Sequence, residues 1–299
     1  MNLEEVRKYK SLDILARQVV EGFITGMHKS PFHGFSVEFA EHRPYNVGQS
    51  TKNIDWKLFA KTDKLYVKRF DEETNLRCHL VLDTSSSMYF PKDEHKKIKF
   101  AVYAAASLAY LLKKQRDAFG LSLFNDTLEF QSEVKSSQSH FNLLLNELDN
   151  VLIKKPILAK TNVAEVLHLL ASKIHKRSMV ILFTDMFEPT HDLDPIFNAL
   201  QHLKHKKHEI IVFHTLDSEK EMDFEYSNRP YKFVDSESQE TIKLYPHEVQ
   251  KVYKEKMQGF YKELKDRCGM NKIDFIPADV NKDFSQIFLP FLLKRQKMT

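Results

Sequence analysis

Three oxygen-bearing side chains follow a short apolar run near the end of the first third of the chain. The run at residues 80–82 ends in the pattern D-x-S-x-S, formed by Asp83, Ser85 and Ser87. In a turn, alternate residues can direct their oxygens toward one point, and small hard oxygen donors suit Mg²⁺ or Mn²⁺. Asp and Ser also cap helices, so this pentapeptide on its own is compatible with either a helix cap or a cation site.

Two later segments offer oxygen atoms that could join the first group. Thr161 precedes a predicted helix, and the wholly apolar run at residues 179–183 ends in Thr184 and Asp185. The carboxyl ends of parallel strands meet at one edge of an open α/β sheet, where ligands usually bind. The sequence therefore predicts that five oxygen-bearing residues lie at or near that edge: Asp83, Ser85, Ser87, Thr161 and Asp185.

The elements that must position these side chains alternate between strands and helices from residue 77 onward. Strands separated by helices predict an α/β fold with a doubly wound, mostly parallel sheet and helices on both faces. A small hairpin is expected at residues 231–234 and 241–244. Other strands are predicted at 117–124, 126–130, 179–185, 209–216 and 273–277, and helices at 94–115, 141–152, 194–203, 246–268 and 284–293, with a further helix beginning at 163.

The first 76 residues have a different character, so two domains are predicted, at 1–76 and 77–299. A helix over residues 12–27 should precede a small β segment that includes a strand near Phe35–Phe39 and another at 65–70. This segment also concentrates polar and aromatic side chains that could form either a salt-bridged platform against the larger domain or a partner-binding surface. That cluster consists of Arg43, Tyr45, Asp55, Trp56, Lys68 and Arg69.

Composition narrows the class of protein. The 299 residues carry a formal net charge of +4, with 29% charged and 42% hydrophobic residues, which is typical of a soluble globular protein. Two isolated cysteines, Cys78 and Cys268, indicate a reducing compartment without a disulfide framework. The acidic N-terminus is unlike a signal peptide, and no apolar run reaches the length of a membrane span, so a cytoplasmic location is expected. No nucleic-acid-binding signature is present.

The D-x-S-x-S turn, the later Thr and the strand ending in Thr-Asp resemble the metal-ion-dependent adhesion site of von Willebrand factor A domains, over roughly residues 77–296. The resemblance implies that Ser85, Ser87 and Thr161 bind a cation directly, while Asp83 and Asp185 act mostly through water. It also implies a coordination position open to a carboxylate of a partner protein. The implied cofactor is Mg²⁺, with Mn²⁺ or Ca²⁺ as alternatives.

Motifs upstream resemble the bacterial family called domain of unknown function number fifty-eight. They are Gly34–Phe39, Arg43–Gly48, Ile54–Trp56 and Val67–Phe70. Members of that family place such a segment before an A-type domain and are commonly encoded beside MoxR-type AAA+ ATPases, so the resemblance implies such an ATPase, or its client, as the partner. The chain departs from the family pattern where glycines are common, with Lys160 before Thr161 and Met186 after Asp185.

These observations predict a non-enzymatic protein-binding module with no catalytic residues. A metal-dependent hydrolase or phosphatase using the same oxygen ligands is the alternative, together with a scaffold whose metal site is vestigial. The phosphatase that opens with an Asp at a strand end needs a second carboxylate two residues later, where this chain has Ser85. The nucleophile elbow G-x-S-x-G and the phosphate-binding loop G-x-x-x-x-G-K-[ST] do not occur in the sequence.

Overall fold

The structure, a computed structural model, divides the chain into two compact units. One comprises residues 1–24 and 76–299, and the other residues 25–75. The opening helix up to Ile24 therefore belongs to the large unit, whereas the predicted boundary after residue 76 grouped it with the N-terminal segment. The residues that the structure describes are 11–28, 42–44, 56–68, 76–91, 94–154, 163–186, 193–235 and 240–296.

Three short elements lie in the described part of the smaller unit. Helix α1 (Leu12–His28) leads into it, and β1 (His42–Pro44), α2 (Trp56–Thr62) and β2 (Tyr66–Lys68) follow. Strands β1 and β2 pair in antiparallel fashion, with Arg43 opposite Val67. The predicted strand near Phe35–Phe39 lies outside the described residues, as do the side chains of the predicted polar and aromatic cluster.

A six-stranded sheet forms the centre of the large unit, in the order β10-β7-β6-β3-β4-β5. All neighbours are parallel except β4 and β5, which form an antiparallel hairpin. Strands are therefore added on both sides of β3, with β4 and β5 on one side and β6, β7 and β10 on the other. The prediction of a mostly parallel α/β sheet is confirmed. The strands are β3 (Arg77–Asp83), β4 (Ala118–Phe124), β5 (Leu128–Gln131), β6 (Met179–Thr184), β7 (Glu209–Leu216) and β10 (Asp274–Asp279).

Six helices of the large unit accompany the sheet, and most begin or end within two or three residues of the predicted positions. The largest differences are three residues, at the end of α8 and at the start of α4. At α4 the Ser137 hydroxyl accepts the backbone N–H of His140 at 3.2 Å and so starts the helix early. A hairpin of β8 (Tyr231–Val234) and β9 (Thr241–Leu244) stands where it was predicted. The helices are α3 (Lys96–Lys114), α4 (Gln138–Ile153), α5 (Val163–Lys173), α6 (Asp194–His205), α7 (Pro246–Met270) and α8 (Ser285–Gln296).

The four central strands, β7, β6, β3 and β4, are buried on both faces because they are largely apolar runs. Val81, Leu182 and Val212 lie on three adjacent strands and pack with side chains from α5, α6 and α7. The alternate residues of these strands are equally buried, and α3 and α8 contact β3 and β10 respectively. Phe100 of α3 stacks on Phe284 at a ring-centroid distance of 4.8 Å. This packing fixes the carboxyl edge of the sheet, where the candidate site lies.

Neither cysteine forms a disulfide. Cys78 and Cys268 are both free and fully buried, as the isolated spacing predicts. Burial raises the pKa of both thiols, to about 12 for Cys268, so neither is poised to react as a thiolate. None of the helices in the described ranges combines the length and hydropathy of a membrane span.

Candidate metal centre

The candidate site lies where the direction of strand addition reverses. Strand β3 has β4 on one side and β6 on the other, so a crevice opens at the carboxyl ends of β3 and β6. Asp83 is the last residue of β3, and Asp185 directly follows β6. The parallel register pairs Leu82 with Phe183, which brings the two strand ends level. The structure therefore brings two carboxylates, separated by about a hundred residues in sequence, to one edge.

Two donors hold the Asp83 carboxylate, which has no exposed surface. Its Oδ1 accepts the backbone N–H of Ser85 at 2.9 Å, and its Oδ2 accepts the hydroxyl of Thr184 at 2.6 Å. The Thr184 oxygen accepts in turn the backbone N–H of Met186 at 3.0 Å. Asp83 is thus fixed by its own turn and by the loop after the neighbouring strand, so its orientation is set before any ligand arrives.

The hydroxyls of Ser85 and Ser87 converge as the D-x-S-x-S spacing predicts. Their Oγ atoms are 3.1 Å apart, Ser85 is buried and Ser87 is half-buried. A single 3₁₀ turn, Ser86–Tyr89, follows, and the side chain of Ser85 makes no capping hydrogen bond to it. Helix α3 begins only at Lys96 and is not capped by any side chain of this loop. Helix capping therefore does not account for the serine hydroxyls.

The Asp185 carboxylate is paired with Lys97 of α3. Thr184 donates its hydroxyl to Asp83, while the next residue, Asp185, contacts Lys97. The Lys97 ammonium, on a side chain with no exposed surface, lies 2.8 Å from Asp185 Oδ2 and 2.7 Å from Glu221 Oε1. The backbone oxygen of Asp185 lies 2.9 Å from Nε2 of the buried His214.

Burial at this edge shifts the pKa values of its ionisable side chains. Burial, and after it the charge of Asp185, raises the pKa of the Asp83 carboxyl to about 7, against the opposing hydrogen bonds from Thr184 and Ser85. Burial raises the pKa of Glu221 as well, opposed by Lys97. Burial lowers the pKa of His214 to about 4 and keeps it neutral. Burial also disfavours the Lys97 ammonium, but Asp185 and Glu221 outweigh it, and its pKa is raised. Two carboxylates, those of Asp185 and Glu221, thus contact one buried ammonium.

Carboxylates also follow the next two strands of the sheet, but these are occupied by local hydrogen bonds. Asp217, after β7, accepts the backbone N–H of Lys220 and the side-chain amide of Asn281. Asp279, at the end of β10, accepts the backbone N–H of Asn281 at 3.1 Å. Both carboxylates stabilise the turns that follow their strands. The serine hydroxyls distinguish the edge at β3 and β6 from its continuation at β7 and β10.

The donor set at β3 and β6 fits a hard cation. It offers carboxylate oxygens from Asp83 and Asp185 and hydroxyl oxygens from Ser85 and Ser87, which suit Mg²⁺, Mn²⁺ or Ca²⁺. Within the described ranges no group of three or more His, Cys, Asp or Glu side chains is arranged to hold a metal. The remaining predicted ligand, Thr161, lies outside the described residues.

One departure from the family pattern has a visible structural cost. Met186, at the position where glycine is common, is fully buried and has a left-handed backbone with φ of 52°. A non-glycine residue in that conformation costs about 1 kcal/mol. Its side chain packs in the core with α5 and α6, which offsets the strain. Lys160, the other departure, lies outside the described residues.

The residues that sequence reasoning missed are Lys97, Glu221 and His214. Lys97 stands in a lysine-rich run, yet helical spacing places it on the same stripe as Ala101, Ala104 and Leu108, all of which have no exposed surface. A lysine at a core position of an amphipathic helix is a signal for a buried ion pair. Glu221 lies in a polar stretch between β7 and β8, where the sequence carries no comparable signal.

Comparisons with known proteins place the chain in a family. It is 23% identical over 208 residues to uncharacterized proteins of Mycobacterium bovis and Mycobacterium tuberculosis, covering 70% of this chain and 64% of each relative. Two solved structures with 14% identity align at a TM-score of 0.47: a conserved hypothetical protein BatB from Bacteroides thetaiotaomicron and an aerotolerance-related membrane protein from Bacteroides fragilis. They cover 75% and 74% of this chain and 100% and 99% of their own. Residues 41–259 match the family described as protein of unknown function DUF58, and the chain belongs to that family.

Proposed function

We propose that this protein is a non-enzymatic binding module that holds a divalent cation at the β3–β6 edge and uses it to capture a carboxylate of a partner protein. The observation that carries the proposal is the convergence of the Ser85 and Ser87 hydroxyls beside the fixed, fully buried carboxylate of Asp83. The half-buried position of Ser87 leaves this group reachable from outside the protein. In this proposal the large unit is of the von Willebrand factor A type and the edge is its metal-ion-dependent adhesion site.

The proposed ligands divide into two kinds. Ser85, Ser87 and Thr161 would bind the ion directly through neutral hydroxyls, and Asp83 and Asp185 would act mainly through water. An ion held by neutral oxygens keeps much of its positive charge, and this charge attracts an incoming carboxylate. The role of the protein is to orient the oxygens beforehand: Thr184 and the Ser85 N–H hold Asp83, and Lys97 holds Asp185.

The proposed partner is a MoxR-type AAA+ ATPase or a client that such an ATPase assembles. This part of the proposal rests on the family, whose members are commonly encoded beside such ATPases. The physical requirement is narrower, because the partner must expose an Asp or Glu side chain that can enter a recessed edge. Binding would then depend on both the metal and that carboxylate.

Calorimetric titration of Mg²⁺ and Mn²⁺ tests the cation site. We expect binding to the wild type and roughly tenfold or greater weakening in Asp83→Asn and Ser85→Ala, because each removes one of the oriented oxygens. Asp126→Asn is the matched control, since Asp126 also follows a strand of the sheet but is exposed. Absence of binding to the wild type, or equal binding to all four proteins, would contradict the proposal.

A pull-down with a MoxR-type AAA+ ATPase, with and without a chelator, tests the partner. We expect capture that is lost on chelation and in Asp83→Asn. Capture that ignores both changes would favour a scaffold with a vestigial site. Metal-dependent turnover of a phosphoester such as p-nitrophenyl phosphate would instead favour the hydrolase alternative.

A further inference from the structure

Lys97 is an unusual neighbour for a cation site. Its side chain has no exposed surface, and its ammonium forms ion pairs with Asp185 at 2.8 Å and Glu221 at 2.7 Å. A buried charge is tolerated only when it is paired and hydrogen-bonded. The Lys97 ammonium therefore sets a fixed positive charge beside the Asp185 carboxylate, which is also a proposed ligand of the cation.

The two carboxylates of Lys97 come from elements with different surroundings. Asp185 follows β6 at the candidate metal centre. Glu221 belongs to a one-turn π-helix, Ser218–Met222, that follows β7. Its second carboxylate oxygen accepts the backbone N–H of Asp217 at 2.7 Å. Glu221 is therefore held in place independently of Lys97 and stays available to it whatever happens at Asp185.

A divalent cation and an ammonium compete for the same carboxylate. Two positive charges a few ångströms apart in a buried site repel strongly, because the local dielectric screens them poorly. Engagement of Asp185 by a cation weakens its attraction for Lys97, and the ammonium then relies more on Glu221. No change of side-chain rotamer is needed for this shift of charge balance, because Lys97 already contacts both partners.

We propose that Lys97 is a built-in competitor of the cation and sets the affinity of the site, with Glu221 as the carboxylate that retains the ammonium when the cation binds. This inference rests on the proposed function and specifies its regulation. It assigns Lys97 and Glu221 as affinity-determining residues, although Glu221 lies on an element after β7 and outside the ligand set.

The proposal predicts opposite effects from two residues that form one ion pair. Lys97→Gln removes the competing charge and should increase affinity for Mg²⁺ and Mn²⁺ by roughly tenfold or more. Glu221→Gln removes one partner of the ammonium, so Lys97 pairs more closely with Asp185, and affinity should decrease by roughly tenfold. If the pair only supported the fold, both substitutions would loosen the site and lower the affinity.

Titration calorimetry of Mn²⁺ and Mg²⁺ into the full-length wild type, Lys97→Gln, Glu221→Gln and Glu219→Gln tests the proposal. Glu219 is exposed on the same π-helical turn, and Glu219→Gln makes the same chemical change as Glu221→Gln. The Glu219→Gln variant should therefore bind the metal with the affinity of the wild type. Circular dichroism and thermal melts establish that each protein is folded. If Lys97→Gln does not fold, Lys97→Met replaces it as the variant without the competing charge, and an affinity of Glu221→Gln equal to or higher than that of Glu219→Gln overturns the proposal.

The outcomes separate this inference from the proposed function. If the wild type binds metal and the affinities of Lys97→Gln and Glu221→Gln change in the same direction, Lys97 is not a competitor. The proposed cation site would be unaffected by that result. Binding to Lys97→Gln but not to the wild type would support a competitor that dominates the site. Absence of binding to both proteins would overturn the two proposals together.

Discussion

His79 should make the protein sensitive to acid. It lies on the central strand β3, is 2% exposed, and its Nδ1 has no hydrogen-bond partner among the described residues. Its Nε2 is 3.5 Å from the side-chain amide of Gln131, at the limit of a hydrogen bond. Burial, with a smaller contribution from His208, lowers the pKa of His79 from its ordinary 6.5 to about 4. The folded protein therefore holds this imidazole neutral, and unfolding lets it take up a proton.

The sign and size of the effect follow from that shift. A histidine whose pKa is lower in the folded state stabilises the fold fully above pH 6.5, and this contribution is lost as the pH falls toward 4. The whole shift corresponds to a change of about 3 kcal/mol in the free energy of unfolding, of which about 2 kcal/mol is lost by about pH 5.

Urea denaturation of the wild type and His79→Leu, at about pH 7.5 and about pH 5, measures this contribution. The leucine cannot be protonated and forfeits no hydrogen bond at Nδ1. We expect the acid-induced loss of unfolding free energy to be smaller in His79→Leu by about 2 kcal/mol. His175→Gln, at an exposed position, should leave the loss unchanged. Equal losses in the wild type and His79→Leu would refute the reasoning.

Three further substitutions probe the packing around the sheet by chemical denaturation. Phe100→Ala should reduce the free energy of unfolding by about 3–5 kcal/mol, because the ring is fully buried and stacks on Phe284. Gly120→Ala should cost about 1–3 kcal/mol, since a Cβ there would lie 2.7 Å from His79 Nδ1. Asp194→Asn should change stability by less than about 1 kcal/mol, because the ion pair it removes between α6 and α7 is exposed to solvent.

Much of the fold could be predicted because the central strands stand out in the sequence as short apolar runs between polar residues. The run at 179–183 is wholly apolar and bounded by polar residues, and it forms β6 almost at the predicted bounds. The start of α4 could not be predicted from periodicity alone, because a capping hydroxyl at Ser137 extends the helix beyond its apolar stripe. The division of the chain was also missed, since the contacts of α1 with the large unit, such as Phe23 against Phe288, are long-range.

Only those features of the candidate site that follow from the course of the backbone could be predicted from the sequence. Parallel strands must end at a common edge, so Asp83 and Asp185 could be expected to meet from sequence order alone. Cation binding by these groups stays a prediction. The contact of Lys97 with Glu221 depends on how a polar segment of irregular structure folds back, over a separation of 124 residues, and no local pattern encodes it.

The hydrogen bond from Thr184 to Asp83 joins residues 101 positions apart and on strands that are not consecutive in the chain. Strands β4 and β5 and the three helices α3, α4 and α5 lie between β3 and β6 in the chain, so no contiguous short fragment carries this edge. Parallel pairing over such distances is among the slower events of folding. Any ligand of this edge therefore binds the native chain alone and stabilises it by mass action. A nascent or truncated chain that lacks β6 does not form this edge, because Thr184 and Asp185 are then missing from it.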